Sequence, residues 1–202
     1  MADTAWERRF PFNRPTSKVR RSIGRAGRER KRDDVNKHVL SLVERASQSD
    51  HQAFADLYQL FHGNVYRLAR FYLNGAAEDA VAETFLRAWV ALPHFRNTGA
   101  PFSAWLYGIA RHVVADERKT QRRLEPRSVL PDDPVEPRQD DRLMLAMAIE
   151  RLPRQDRQLL ELKFLMGLTN AELARAFGKT VGAINAQQWR ALRKLRGIIG
   201  EV

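Results

Sequence analysis

The chain has 202 residues, 35 Lys and Arg against 24 Asp and Glu, a formal net charge of +11 and no cysteine. That length allows one or two domains with real cores, the missing cysteines exclude disulfides and thiolate metal sites, and no apolar run approaches the roughly 20 residues of a membrane span. A balance this basic suits a polyanionic partner, nucleic acid ahead of an anionic membrane surface, and the absence of an apolar leader core predicts a cytoplasmic protein without membrane insertion.

Residues 1–32 carry eleven Lys and Arg against three acids, with Pro11, Pro15, Gly24 and Gly27. Blocks of like charge such as RAGRERKR (Arg25 to Arg32) repel and stay solvated, so a disordered basic arm is expected over 1–32. Order is expected from Asp33. Val35, Val39, Leu42, Val43 and Ala46 share one helical face. Asp50 caps a longer helix striped by Phe54, Leu57, Tyr58, Phe61, Val65, Leu68 and Tyr72, and Asn74-Gly75 stops it. The third helix opens on Glu78 and Asp79, where the helix dipole favours acids, buries Val81, Phe85, Ala88 and Leu92, and ends at Pro93. After the loop PHFRNTGA, Pro101 opens a fourth helix at the position proline prefers. Phe102, Trp105, Leu106, Ile109 and Val113 form its stripe, and its far end is basic, with Arg118, Lys119, Arg122 and Arg123. Four helices with short connections define an all-α domain over 33–124.

Residues 125–139 (EPRSVLPDDPVEPRQ) hold four prolines and clustered acids. That composition disfavours helix and predicts an extended linker, either a plain tether or an acidic strand that mimics nucleic acid. A second all-α domain is expected over 140–202. Asp140 or Asp141 opens one helix and Leu152-Pro153 breaks it. Arg154 to Met166 forms the next, with Leu159, Leu160, Leu162, Phe164 and Leu165 available for a core, and Gly167 ends it.

The stretch from Thr169 to Leu195 completes the chain. Thr169 and Glu172 have capping-box spacing, Leu173, Ala174 and Phe177 form an apolar stripe, and Gly178 supplies a left-handed stop. Thr180 caps a last helix on which Ile184, Ala191, Leu192 and Leu195 fall at helical spacing. A short capped helix, a glycine turn and a second helix are the parts of a helix-turn-helix, whose second helix enters the DNA major groove. An ordinary helical hairpin in a core has the same parts. The five histidines, His38, His51, His62, His94 and His112, show no metal-ligand spacing, and no phosphate-cradling glycine loop or nucleophile elbow appears. No cofactor, small-molecule substrate or enzymatic activity is therefore expected.

The run AEDAVAETFLRAWVALPHF (Ala77 to Phe95), followed by FSAWLYGIARHVVADERKTQRR (Phe102 to Arg123), resembles region two of bacterial sigma factors. AIERLPRQDRQLLELKFLMGLTNAELARAFGKTVGAI (Ala148 to Ile184) resembles region four. Only these two regions appear, as in the small extracytoplasmic-function (ECF) members of the sigma-70 family. The resemblance implies that the acid-led helix docks on core RNA polymerase through Glu78, Asp79, Glu83, Arg87 and Trp89. It implies that the −10 element meets Phe95, Arg96 and Asn97 in the loop and Arg111, His112, Lys119, Arg122 and Arg123 on the next helix, with Trp105 on the core stripe instead. It also implies that the −35 duplex meets Thr180, Ala183, Asn185, Gln187, Arg190, Arg193 and Lys194. The commonest family pattern has Lys or Arg near 185 and 187. Amides at both positions shift the expected readout toward adenine, which Asn and Gln pair bidentately. Promoter DNA and core polymerase are the implied partners, and many relatives are held by an anti-sigma factor. The alternative, a stand-alone helix-turn-helix regulator, leaves the region-two motif idle.

Overall fold

The chemistry at helix ends sets the element boundaries in the computed structural model, which describes residues 26–73, 75–124 and 137–200. Among these residues the fold is all-α, without strands. Helix α1 runs Ala26–Ser47, α2 His51–Tyr72, α3 Ala77–Ala91 and, after a 3-10 turn at Leu92–His94, α4 runs Phe102–Leu124. Helix α5 spans Pro137–Glu150 and α6 Arg154–Leu160. α6 passes directly into a π-helical turn at Glu161–Leu165 before α7 (Asn170–Phe177) and α8 (Val181–Gly200). Asp50 caps α2 by accepting from the Ala53 N–H at 3.0 Å. That bond, together with the Arg45 guanidinium, holds the Asp50 carboxyl below its ordinary range.

The expected capping box is present: Thr169 Oγ1 accepts from Glu172 N at 3.2 Å, and the Glu172 carboxylate accepts from Thr169 N at 2.8 Å. Gly178 then closes α7 at φ 62°, where a Cβ would be strained. Thr169→Ala removes one half of this reciprocal pair. It is expected to cost about 1 kcal/mol of stability, read as a lower urea midpoint.

Helix α2 is the centre of the first half and packs on α1, α3 and α4. Leu42, Leu57, Leu68, Val81, Phe85, Leu106 and Val113 fill the space between them. In the second half α8 is the centre, packed on α5, α6 and α7 around Ile149, Leu159, Leu162, Leu173, Ile184 and Leu195. Each such side chain contributes about 1.5–3 kcal/mol by leaving water.

Four expectations shift. Helix α5 opens at Pro137, three residues before Asp140 and inside the expected 125–139 linker, because proline is tolerated in the first turn of a helix. Helix α1 begins at Ala26, seven residues before Asp33, because Arg and Lys are good helix formers and the charge block extends an existing helix. Residues 1–25 of the arm and 125–136 of the linker lie outside the described residues, as does Asn74, although Gly75 has the left-handed φ of 90°. The two halves are in contact: α2 packs against α5 and against the π turn. Phe164, expected in the core, is 55% exposed, because it lies within the wider π turn, which shifts it out of the α-helical phase.

Candidate functional site

Helix α3 has two faces. Ala80, Val81, Thr84, Phe85 and Ala88 are buried, and the Thr84 hydroxyl returns its hydrogen bond to the Ala80 carbonyl at 2.6 Å. Glu78 and Asp79 stand exposed in the first turn. Arg87 joins Glu83 at 2.6 Å and reaches Asp116 of α4 at 3.4 Å. The Glu83 hydrogen bond holds the Arg87 guanidinium above its ordinary range. Leu86 and Val90 share the outward face at 59% and 68% exposure. They escaped the sequence reading, although their i, i+4 spacing off the core stripe was the signal. Trp89 is half-buried: its indole packs on His51 at 5.0 Å and edge-on to Phe54 at 4.8 Å. It therefore shapes the edge of this surface from below.

The loop after α3 presents Arg96 and Asn97 to solvent, with Gly99 N–H held on Asn97 Oδ1 at 3.0 Å. Phe95 is half-buried and sits edge-on to Phe102 and Trp105, at 5.7 and 5.3 Å. Trp105 is core, as its place on the stripe predicts. Beside the loop lies a cavity of about 330 Å³ lined by Asn36, Lys37, Asn97, Pro101, Phe102 and, from α7, Arg175.

Helix α4 does not present all its expected DNA contacts. Lys119 is exposed, with Asp116 at 3.8 Å, and Arg123 is exposed. His112 turns its Nδ1 to the Gly108 carbonyl at 3.0 Å. The Arg122 side chain lies outside the described residues. Arg111 faces the other half of the chain. Its Nε lies 3.4 Å from Glu161, its guanidinium stacks 4.6 Å from the Tyr72 ring centre, and its side chain is 15% exposed. In this conformation Arg111 cannot meet a phosphate. Its place four residues after Tyr107 already aligned it with a buried position.

On α8 the two amides part company. Asn185 is exposed and accepts from Asn170 Nδ2 at 2.5 Å. Gln187 is 6% exposed and faces inward. Its carbonyl accepts from Lys179 at 2.7 Å while its amide donates to Asp156 at 3.2 Å, and Asp156 also takes Lys194 at 2.7 Å. Of the two amides expected at the −35 duplex, Gln187 is thus turned inward and Asn185 outward. Position 187 lies three residues after Ile184 and four before Ala191, on the buried stripe. An amide fits there because it can accept from a cation and donate to a carboxylate at once, whereas Arg or Lys would face Lys179 with like charge. Lys194, expected on a phosphate, is tied to Asp156 with its side chain still half exposed. Thr180 accepts from Ala183 N at 3.1 Å and caps α8. Ala183, Arg190 and Arg193 are exposed. So is Trp189, at 62%, with the Arg193 guanidinium 5.6 Å from its ring centre. The sequence reading passed over this indole, although it falls outside the apolar stripe.

No helix among the described residues is long and apolar enough to cross a membrane, and the described residues hold no group of three or more His, Asp or Glu placed to bind a metal.

Two helical units, one with an acidic and apolar helix face beside an aromatic loop and one with a capped helix-turn-helix, define a two-domain DNA-reading protein. The Sigma-70 region 2 family matches residues 57–124 and the Sigma-70 region 4 family matches residues 142–195. The ECF RNA polymerase sigma factor BldN of Streptomyces coelicolor is 37% identical, over 83% of this chain and 68% of its own length. The ECF sigma factor ShbA of Streptomyces griseus is 34% identical, over 83% of this chain and 98% of its own. The fold matches that of CnrH, solved in complex with the cytosolic domain of CnrY, with a TM-score of 0.57 at 23% identity, over 81% of this chain and 98% of that one. The chain belongs to the ECF sigma factors of the sigma-70 family. It binds core RNA polymerase and directs promoter-specific transcription initiation at −10 and −35 elements, in a family of non-catalytic transcription regulators.

Proposed function

We propose a division of labour among named residues. The outward face of α3 is the polymerase-docking surface: Glu78, Asp79 and Glu83 supply charge, Leu86 and Val90 supply apolar area, and Arg87 and Trp89 set its edge. The observation that carries this reading is the two-sided character of α3. Leu86 and Val90 stand exposed beside the acids while the opposite stripe fills the core. Acids around an apolar centre are suited to orienting and anchoring a basic partner helix. The loop residues Phe95, Arg96 and Asn97, with Lys119, Arg122 and Arg123, serve the −10 element. A flipped base needs a face to stack on and cations for its phosphates. Residues 33–124 and 140–202 act as the two reading domains, joined by 125–139, in the cytoplasm. An anti-sigma factor is the further partner.

Run-off transcription with purified core enzyme tests the reading. Start sites that depend on the chain, with shared −10 and −35 sequences upstream, are expected. Asp79→Lys with Glu83→Lys is expected to weaken association with core by at least tenfold. Stability should stay within about 0.5 kcal/mol, since both side chains are surface groups. Wild-type affinity for core in that double variant would overturn the docking assignment.

A further inference from the structure

Residues 1–32 carry a net +8 of the chain's +11, and helix α1, which begins at Ala26, draws the last part of that block into a defined element. The helix is seated by Val39, Leu42, Val43 and Ala46, all buried in the first half. One turn before Val39 the same stripe reaches Val35, which is already 53% exposed, so the core ends there. At about 100° per residue, Arg28, Lys31 and Arg32 fall in register with Val35 and Val39. Where the core stops, the stripe that served it continues as cations alone. The acids of the same turns, Glu29, Asp33 and Asp34, all fall at other registers.

Helix stability does not account for that placement. Arg28 and Arg32 are an i, i+4 pair of like charge, which weakens a bare helix. Cations in the first turns also oppose the helix dipole. Both penalties are relieved when a polyanion lies along the stripe.

The surroundings identify the polyanion. The next turn of α1 stands at the loop assigned to the −10 element: Asn36 and Lys37 line the same cavity as Asn97 and Phe102, and Lys37 is exposed. From Asn36 back to Ala26 the helix runs on for about 15 Å, so the basic turns extend from the edge of the −10 surface. Their spacing suits a phosphate backbone. Arg28 to Arg32 covers about 6 Å of helix axis, a run over which one strand of duplex carries about two phosphates. The composition is wrong for a lipid surface, which needs an apolar helix face: no apolar side chain occurs from Gly27 to Asp34.

We propose that Arg28, Lys31 and Arg32 form a third DNA-contact surface, which grips backbone phosphates flanking the −10 element and supplies affinity and register without reading bases. This rests on the sigma-factor reading above, and the test separates the two. Alanine favours helix more than Arg or Lys does, so Arg28→Ala with Lys31→Ala and Arg32→Ala in the full chain should keep its helix content by circular dichroism. Holoenzyme carrying this triple variant is titrated with a promoter duplex mapped by run-off transcription, over a series of salt concentrations. The dependence of log K on log salt is expected to become shallower by about 2–3, as loss of three phosphate contacts requires, with roughly tenfold weaker binding at low salt. Affinity for core and the base preferences at −10 and −35 should stay as in the wild type. Arg28→Lys with Arg32→Lys keeps the charge and is expected to keep the wild-type slope, whereas a role fixed by guanidinium packing would not survive it.

A wild-type slope in the triple variant, a loss confined to one base pair, or weaker core binding with the slope unchanged would each overturn the proposal, the last placing the stripe on polymerase. Phosphatidylglycerol vesicles supply the competing polyanion, with phosphatidylcholine vesicles as the neutral control. Binding of the wild type but not the triple variant to the anionic vesicles, with an unchanged slope on DNA, would overturn it in favour of lipid. Should the alanine variant lose helix content, Arg28→Gln with Lys31→Gln and Arg32→Gln removes the charge while keeping long side chains, and the same outcomes apply. Failure of wild-type run-off transcription sinks the sigma reading and leaves the salt series, run on the free chain with a random-sequence duplex, to judge the stripe alone.

Discussion

Asp156→Ala is expected to destabilise the second half of the chain by about 2–4 kcal/mol, because a buried amide and an ammonium lose their shared acceptor together. Asp156 is 7% exposed and links α6 to both ends of the α8 core face, through Gln187 at 3.2 Å and Lys194 at 2.7 Å. Its removal leaves the Gln187 amide buried with nothing to donate to, while Lys179 still holds the carbonyl side. Asp156→Asn separates the contributions. The remaining carbonyl can serve Gln187, so only the half-exposed pair with Lys194 is lost, at about 1 kcal/mol. Urea unfolding followed by far-UV circular dichroism checks both. If Asp156→Ala costs no more than Asp156→Asn, the amide link does not hold α8. Binding to −35 DNA should fall with Asp156→Ala for every base sequence alike, since the whole helix loses its seat.

The parts of this fold that were legible in the sequence are those governed by neighbours in the chain. Thr169 and Glu172 announce a capping box because both hydrogen bonds span three residues. Gly178 announces a left-handed stop for the same local reason. Asp50 and the α2 stripe follow from cap chemistry and a 3.6-residue period. The contacts of Glu161 with Tyr107 and Tyr72 were not legible, because those partners lie 54 and 89 residues away from it. Only a lone acid inside LLELKFL hinted that something distant had to meet it. Phe164 misled because a π turn breaks the period on which the core assignment relied. Gln187 was legible and was passed over: its residue type suggested a base reader, while its position between Ile184 and Ala191 placed it on the buried stripe. Residue type names what a side chain can do, and helical phase decides which surface it does it on. On α3 the acids Glu78 and Asp79 were legible from their helix-start position, whereas Leu86 and Val90, off the core stripe, were passed over.

Asn185→Ala is expected to cost about 1–3 kcal/mol at one base pair of the −35 element and to relax the choice of base there. With Gln187 turned inward, Asn185 is the amide left on the outward face of α8, in line with Trp189 four residues on and Arg193 beyond it. Asn170 donates to its carbonyl at 2.5 Å, which leaves the Asn185 NH₂ and one carbonyl lone pair for a base. That donor and acceptor support pairing with adenine, whose N7 accepts and N6 donates. Ala183 and Ala186 flank it and let the backbone approach the groove. Trp189 offers a broad apolar face beside the amide, suited to a thymine methyl, and Trp189→Ala is expected to weaken sites that carry a thymine next to that adenine. Arg190→Ala should instead weaken all sequences equally and reduce the salt slope by about one, as loss of a single phosphate contact requires. Gln187→Ala should lower stability and affinity together with no base-specific signature. A binding matrix of these four variants against every single-base change of the −35 duplex, repeated at two salt concentrations, distinguishes them. Uniform loss for Asn185→Ala across all bases would reduce its role to positioning, and a base-specific loss for Gln187→Ala would mean that α8 re-seats on DNA and exposes the buried amide.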